Sequence, residues 1–298
     1  MIRHLIDITD FTPEEVSTIL RLAEQPGLPK ALDGLGVALI FEKPSNRTRH
    51  SMEIAVVQLG GHPVYTRGEE VGIDVRESAE DIARVMAGYH GVIAARVYAH
   101  DKVQRMAAVS PVPVVNMLSD HAHPLQAFAD ALTMQQVHGP LAGKKVAFIG
   151  DYNNVARSLG EICVMLGATI TYGCPIGFHP SPTELARLNA LGAGQASHEH
   201  HTEDAVAGAI AVHTDSWVSM GQEAEKQARI AQFRSYTVTT EMMALADPTA
   251  GFYHCLPAYR GLEVAAEVID GPASHVIAQA HNRLHSARGA LAFLMGVR

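Results

Sequence analysis

The chain has 298 residues, 47% hydrophobic and 18% charged, which is enough for two ordinary globular domains. A net charge of −8 argues against a general nucleic-acid binder, so any anion must be gripped by a local basic cluster. No run approaches ~18 consecutive apolar residues, which excludes a membrane-spanning helix.

Three cysteines, Cys163, Cys174 and Cys255, form no Cys-x-x-Cys pair and suggest a reducing compartment. Asp7 and Asp10 interrupt the apolar character of the start, which does not read as a signal peptide. The expectation is a soluble cytoplasmic protein.

In chain order, Thr12-Pro13-Glu14-Glu15 opens the first helix, with Thr12 as N-cap and Glu15 completing a capping box. Val16, Ile19, Leu20 and Ala23 give its buried face, and Gln25-Pro26-Gly27 ends it. Gly36–Phe41 reads as a buried parallel strand. A helix over 47–59 follows, stopped by Gly60-Gly61. Ser45, Asn46, Arg47 and Thr48 therefore occupy a strand-to-helix turn. Unpaired N–H groups and the positive end of the helix dipole favour an anion there. Ser45 and Thr48 add hydroxyls, and Arg47 offers a forked, charge-assisted contact to a phosphoryl group. A capped helix carrying two solvated arginines fits the same spacing.

A short strand spans 63–66. Arg67 to Arg76, with Gly68 and Gly72, reads as a mobile polar loop before a helix starting near Glu77. Gly91–Ala95 is a buried strand with Arg96 at its C-terminal end, where the ligand crevice of parallel α/β sheets lies. A solvated strand-end arginine would look the same. A strand over 112–117 leads to a helix from Pro124 to about His138, with His123 at its cap and Gln126 one turn on.

Gly139-Pro140-Leu141-Ala142-Gly143 marks a composition break, and a second α/β unit begins at the strand 145–150. The turn Gly150-Asp151-Tyr152-Asn153-Asn154 lacks the later glycines of Gly-x-Gly-x-x-Gly, which argues against a nicotinamide cofactor. Helix 154–166, strand 168–172, helix 182–191 and strand 209–213 continue the alternation. Ser197-His198-Glu199-His200-His201 fails the His-Glu-x-x-His metal test at Thr202 and reads as a polar loop. No metal site is expected. A polar cluster, His213 to Gly221, again follows a strand end. Phe252–His254 is a strand ending in a bend at Cys255-Leu256-Pro257, where a buried structural cysteine is commoner than a nucleophile. A final helix runs from about Gly271 to Leu294. The fold class is α/β, with two doubly wound parallel-sheet domains linked by helices.

Five of these stretches, in order, together resemble the aspartate and ornithine carbamoyltransferase family. Ser45–Arg49 is similar to its Ser-Thr-Arg-Thr-Arg phosphate loop, with Asn46 in place of the usual threonine. His123-Pro124-Leu125-Gln126 resembles its His-Pro-x-Gln, which implies that His123 contacts the carbamoyl oxygen and Gln126 the carbamoyl nitrogen. Gly150–Asn154 and Asp215–Gly221 resemble the Gly-Asp-x-Asn-Asn and Asp-x-x-x-Ser-Met-Gly of its ornithine branch. The resemblance implies that Asn154 holds the α-carboxylate end, that Asp215 contacts the amino groups, and that Ser219 and Met220 close on the amino-acid end. His254–Pro257 matches His-Cys-Leu-Pro, with Cys255 beside the reacting amine and the Leu256 carbonyl accepting from the carbamoyl amide. Asn282-Arg283 supplies Arg283 to the carbamoyl phosphate, with His281 where glutamate is common.

The implied activity is carbamoyl transfer from carbamoyl phosphate to L-ornithine, giving L-citrulline and phosphate, without a cofactor. Arg96, Thr48 and His123 would form the oxyanion site. The implied division is a carbamoyl phosphate domain, 1–138 with the C-terminal helix 273–298 packed back on it, and an ornithine domain, 139–272. The family also implies closure on substrate and a homotrimer or a multiple of it, with Arg67–Arg76 the candidate for a neighbour-donated loop. Transfer to putrescine or an acylated ornithine, and a non-catalytic carbamoyl phosphate binder, stay open at this point.

Overall fold

Nine strands, each parallel to its sheet neighbours, form two separate sheets among the described residues. The computed structural model describes residues 2–218 and 226–298. One compact unit runs to Leu132 and takes back His281–Arg298, and the other is Thr133–Ala280. The chain passes between them within two helices, and not at the glycine-rich stretch 139–143.

The first unit contains α1 (Pro13–Glu24), β1 (Gly36–Phe41), α2 (Asn46–Gln58), β2 (His62–Arg67), α3 (Gly68–Val71), α4 (Ala79–Ala87), β3 (Val92–Arg96), α5 (His100–Val109), β4 (Val114–Leu118) and the start of α6 (Pro124–His138). Its strand order is β2-β1-β3-β4. β1 beyond Gly36 and all of β4 are buried on both faces because layers cover both sides of the sheet, whereas edge strand β2 is partly exposed along its length.

The α1 capping box forms as the spacing requires, with Thr12 Oγ1 accepting from Glu15 N–H and Glu15 Oε2 from Thr12 N–H. The 67–76 stretch is only partly a loop. Arg67 closes β2, and Gly68 opens the single turn α3. A Cβ at Gly68 would lie 2.6 Å from Glu42 Cα, so only glycine lets the chain turn this close to the end of β1. α5 carries too weak an apolar period for the sequence reading, since only Val103 and Met106 are buried.

The second unit contains β5 (Lys145–Ile149), α7 (Asn154–Met165), β6 (Thr169–Gly173), α8 (Pro182–Asn189), β7 (Gln195–Glu199), α9 (Thr202–Val206), β8 (Ala211–Thr214), α10 (Lys226–Phe233), α11 (Thr240–Met243), β9 (Gly251–His254), α12 (Ala266–Ile269) and the start of α13 (Val276–Leu294), as far as Ala280. The order is β7-β6-β5-β8-β9. Of the histidine-rich segment 197–201 expected as a loop, Ser197 to Glu199 belong to the edge strand β7, and His200 and His201 follow it. It pairs with β6 through its backbone and buries only Ala196, so it needs no apolar pattern. The rings of His179, His198 and His200 gather beside it, with centroids 4.5 Å apart for the first two and 4.7 Å for the last two.

The C-terminal part of α13 packs in the first unit. A Cβ at Gly289 would come within 2.7 Å of Ile19 O and Ala23 N, so the helix lies directly on α1. Arg288 donates to the carbonyls of Ala23 and Gln25, which end α1, at 3.1 and 2.6 Å. Phe293 meets Phe11 edge-on at 5.6 Å. No described helix is long and apolar enough to cross a membrane.

Candidate active site

In the first unit the chemistry collects beyond the C-terminal ends of β1, β3 and β4, as sheet topology predicts. Ser45 is the N-cap of α2, and its Oγ accepts from Thr48 N–H at 3.4 Å. The chain leaves β1 and must satisfy the orphan donors of a new helix, which is why a serine stands there.

Thr48, 1% exposed, is the hub. Its Oγ1 receives Ser45 Oγ at 3.1 Å, Arg96 Nη1 at 3.4 Å and Arg283 Nη2 at 3.3 Å. Arg283 Nη1 also donates to Gln126 Oε1 at 2.5 Å and to His123 Nε2 at 3.2 Å. Gln126 Nε2 in turn donates to Asp130 Oδ1 at 2.7 Å.

A guanidinium only donates, so His123 Nε2 accepts and its neutral tautomer carries the proton on Nδ1. Burial, reinforced by Arg283 and Arg96, holds His123 well below its ordinary pKa. It is a neutral imidazole at physiological pH and offers one N–H, not a proton. Arg47 makes no hydrogen bond or ion pair among the described residues, and Asn46 is exposed. Arg49 is engaged elsewhere: Nε donates to Glu53 at 2.8 Å, and the guanidinium lies 3.8 Å over the Tyr65 ring.

In the second unit Asp215 follows β8. Its carboxylate accepts three donors: Asn153 Nδ2 at 2.8 Å, Ser216 N–H at 2.8 Å and Cys255 Sγ at 3.1 Å. Asn153, which the sequence motif left without a role, makes one of these contacts to Asp215. Asn153 is also the N-cap of α7, with Oδ1 accepting from Val155 and Ala156 N–H, while Asn154 is the first helical residue. That cap was legible in the sequence as an asparagine before an apolar-periodic run, and its second bond was not.

Cys255 lies just past β9. Leu256 has φ +58°, a left-handed conformation that costs a non-glycine residue roughly 1–2 kcal/mol. Its N–H is taken by His254 Nδ1 at 2.8 Å, so the proton of that buried imidazole sits on Nε2, 3.4 Å from Glu263 Oε1. The ligand-capable atoms of Asp215, His254 and Cys255 lie within 4.8 Å of one another, the one such trio among the described residues. Ser219 and Met220 lie outside the described residues.

The structure therefore joins Ser45, Thr48, Arg96, His123, Gln126 and Arg283 into one network. It joins Asp215 with Cys255 into another, and adds Asn153 to it. A network of cationic and neutral donors suits a phosphorylated carbonyl compound. A fixed carboxylate beside a thiol suits an amine.

Two family models match the chain in succession. The family model for the carbamoyl-P binding domain of aspartate/ornithine carbamoyltransferases matches residues 3–136, and that for the Asp/Orn binding domain matches 142–294. The ornithine carbamoyltransferase of Thermus thermophilus is 43% identical over 297 residues, 98% of this chain and 97% of that protein. The anabolic ornithine carbamoyltransferase of Pyrococcus furiosus is 42% identical over 305 residues, 99% of this chain and 96% of that protein. The solved structure of the Pyrococcus furiosus ornithine carbamoyltransferase superposes with a TM-score of 0.93 at 40% identity, covering 99% of this chain and 97% of that one.

Proposed function

This chain belongs to the aspartate/ornithine carbamoyltransferase family, and from that premise we propose that it transfers the carbamoyl group of carbamoyl phosphate to the side-chain amine of L-ornithine, releasing L-citrulline and phosphate. The observation that carries the reading is the Thr48 hydroxyl, buried where Arg96 and Arg283 both reach it. Two cations converging on one hydroxyl at the start of a helix suit an acyl phosphate whose carbonyl must be polarised.

The amine lone pair forms the N–C bond while the carbonyl π pair moves onto oxygen. Thr48, Arg96 and His123 stabilise that oxyanion. Each well-placed donor of this class is worth roughly 3–4 kcal/mol in the transition state. Collapse breaks the C–O bond, the electron pair leaves on phosphate, whose charge Arg47 and Arg283 offset, and the departing phosphate takes the proton that the attacking nitrogen sheds. Gln126 and the Leu256 carbonyl orient the carbamoyl NH2. Asn46 lines the same turn. No cofactor takes part, because the amine is itself the nucleophile.

The difficulty is the ammonium. An alkyl amine with pKa ~10.4 is neutral in only about one molecule in a few thousand near pH 7. Asp215 positions the amine and Cys255 shapes its approach, so that orientation supplies much of the acceleration. Asn154, Ser219 and Met220 are assigned to the α-amino-acid end. The protein works in the cytoplasm as a homotrimer or a multiple of it, with the 67–76 stretch serving a neighbouring subunit.

The test is citrulline formation from carbamoyl phosphate and L-ornithine, with putrescine, N-acetylornithine and L-aspartate in parallel. Turnover with ornithine alone is expected. Turnover with another amine instead would keep the phosphate cradle and overturn the assignment of the amine. No turnover with any of the four would refute the activity.

A further inference from the structure

Arg229 sits in the polar helix α10. It is 4% exposed, and it and Phe233 are the buried members of that helix. The guanidinium connects two separate segments. Nε donates to the Trp217 carbonyl at 2.5 Å, two residues past Asp215. Nη2 donates to Oδ2 of Asp151, two residues before Asn153. The rings of Phe178 and Phe233 cover the group, with centroids 4.9 and 5.2 Å from Cζ. Phe178 is itself tied to the same turn, its carbonyl accepting from Tyr152 N–H at 2.9 Å.

Asn153 and Asp215 form the direct bond between these two segments. We propose that Arg229 is a positioning residue for the amino-acid substrate, bracing the Asp151–Asn153 turn against the Ser216–Trp217 backbone and so setting where Asp215 presents its carboxylate. This rests on the reading of Asp215 as the amine-binding acid.

The chemistry of the pair supports the brace. Burial pushes the Asp151 carboxyl above its ordinary pKa, the Arg229 charge opposes that, and Asp215 adds to the upward push. Without the guanidinium, the two remaining influences both favour the protonated acid, and the bond to the turn is lost. Lysine cannot replace it fully. Its ammonium is a point charge that lacks the planar fork needed to serve a carbonyl and a carboxylate in different directions.

Trp217 is the only tryptophan in the sequence, so its fluorescence reports on this joint. The experiment compares the unmodified protein with R229Q, R229K and D151N by steady-state kinetics, by calorimetry with carbamoyl phosphate, and by the Trp217 response to L-ornithine. In R229Q the ornithine KM rises by about tenfold to a hundredfold, while the carbamoyl phosphate Kd stays within about twofold. R229K regains part of the loss because it keeps the charge, and D151N moves in the same direction as R229Q.

A folded R229Q with an unchanged ornithine KM overturns the proposal. Parallel weakening of both substrates also overturns it, because that is the mark of a general packing role. Should R229Q fail to fold, D151N decides from the other end of the brace, and an unchanged ornithine KM there overturns it equally. An unmodified protein that forms no citrulline, yet shows a Trp217 response to ornithine that the variants lose, overturns the reaction and keeps Arg229 in its role. Absence of both overturns both.

Discussion

Thr48→Val isolates one hydroxyl. Valine and threonine have nearly the same shape and similar helix propensity. The backbone N–H of residue 48 keeps its cap from Ser45, so α2 should start where it does now. The change removes the acceptor of Arg96 Nη1 at 3.4 Å and Arg283 Nη2 at 3.3 Å, and the partner of Ser45 Oγ at 3.1 Å. Charge-assisted hydrogen bonds contribute about 1.5–3 kcal/mol each at good geometry. These two are long, so about 1 kcal/mol each is the better figure, partly offset by burying a methyl group. The expected loss of stability is therefore about 1–2 kcal/mol, measured by denaturant unfolding. The catalytic loss should be larger. If Thr48 donates to the developing oxyanion, its removal costs about 2.7–4 kcal/mol, or 10²–10³-fold in kcat. The assay is citrulline formation at saturating carbamoyl phosphate and ornithine. A kcat within about threefold of the unmodified protein, with the stability loss as expected, would show that the hydroxyl only braces the arginines and would refute its assignment to the reacting oxygen.

Asp215→Asn should lower turnover by about a hundredfold and leave carbamoyl phosphate affinity unchanged by calorimetry, because the carboxylate is bonded to Asn153, Ser216 and Cys255, all in the second unit. Equal turnover would remove Asp215 from the amine's chemistry. His213 gives a pH prediction. It is buried, its ring is stacked on Tyr253 with centroids 4.7 Å apart, and burial lowers its pKa to about 3. The unfolded chain takes up this proton near pH ~6.5, whereas the folded chain resists until about 3, so the unfolded state binds more protons in that window. Stability is then full above about 6.5 and falls as pH drops toward 3, by up to ~1.4 kcal/mol per pH unit. Denaturant unfolding at pH 7 and pH 5 should show a smaller acid loss in His213→Phe than in the unmodified protein. Identical losses would mean that His213 does not govern this limb.

Much of the architecture was legible locally. Apolar runs such as Gly36–Phe41 and Lys145–Ile149 form buried parallel strands, and the helices capped by Thr12, Ser45 and Ser181 start within about two residues of where their caps stand. These signals work because burial of a strand and capping of a helix depend on residues only a few positions apart. β7 escaped because an edge strand is held by backbone bonds that leave no mark on its side chains. α10 escaped because its buried members, Arg229 and Phe233, make no apolar stripe.

The site divides in the same way. The motif at the end of β1 was readable as an anion turn, since a helix N-terminus after a strand carries its own donors. What the motif does not contain is its partners. Arg283 reaches Thr48 across 235 residues of chain and His123 across 160, and Asn153 reaches Asp215 across 62. Sequence alone determined which side chains stand at the strand ends and helix caps. Only the tertiary structure decided that Arg283 of the last helix closes the network around Thr48, that Asn153 bonds Asp215, and that Arg229 bonds both the Asp151 carboxylate and the Trp217 carbonyl. Those contacts depend on strand order and on how the last helix returns, and neither is encoded within any one stretch.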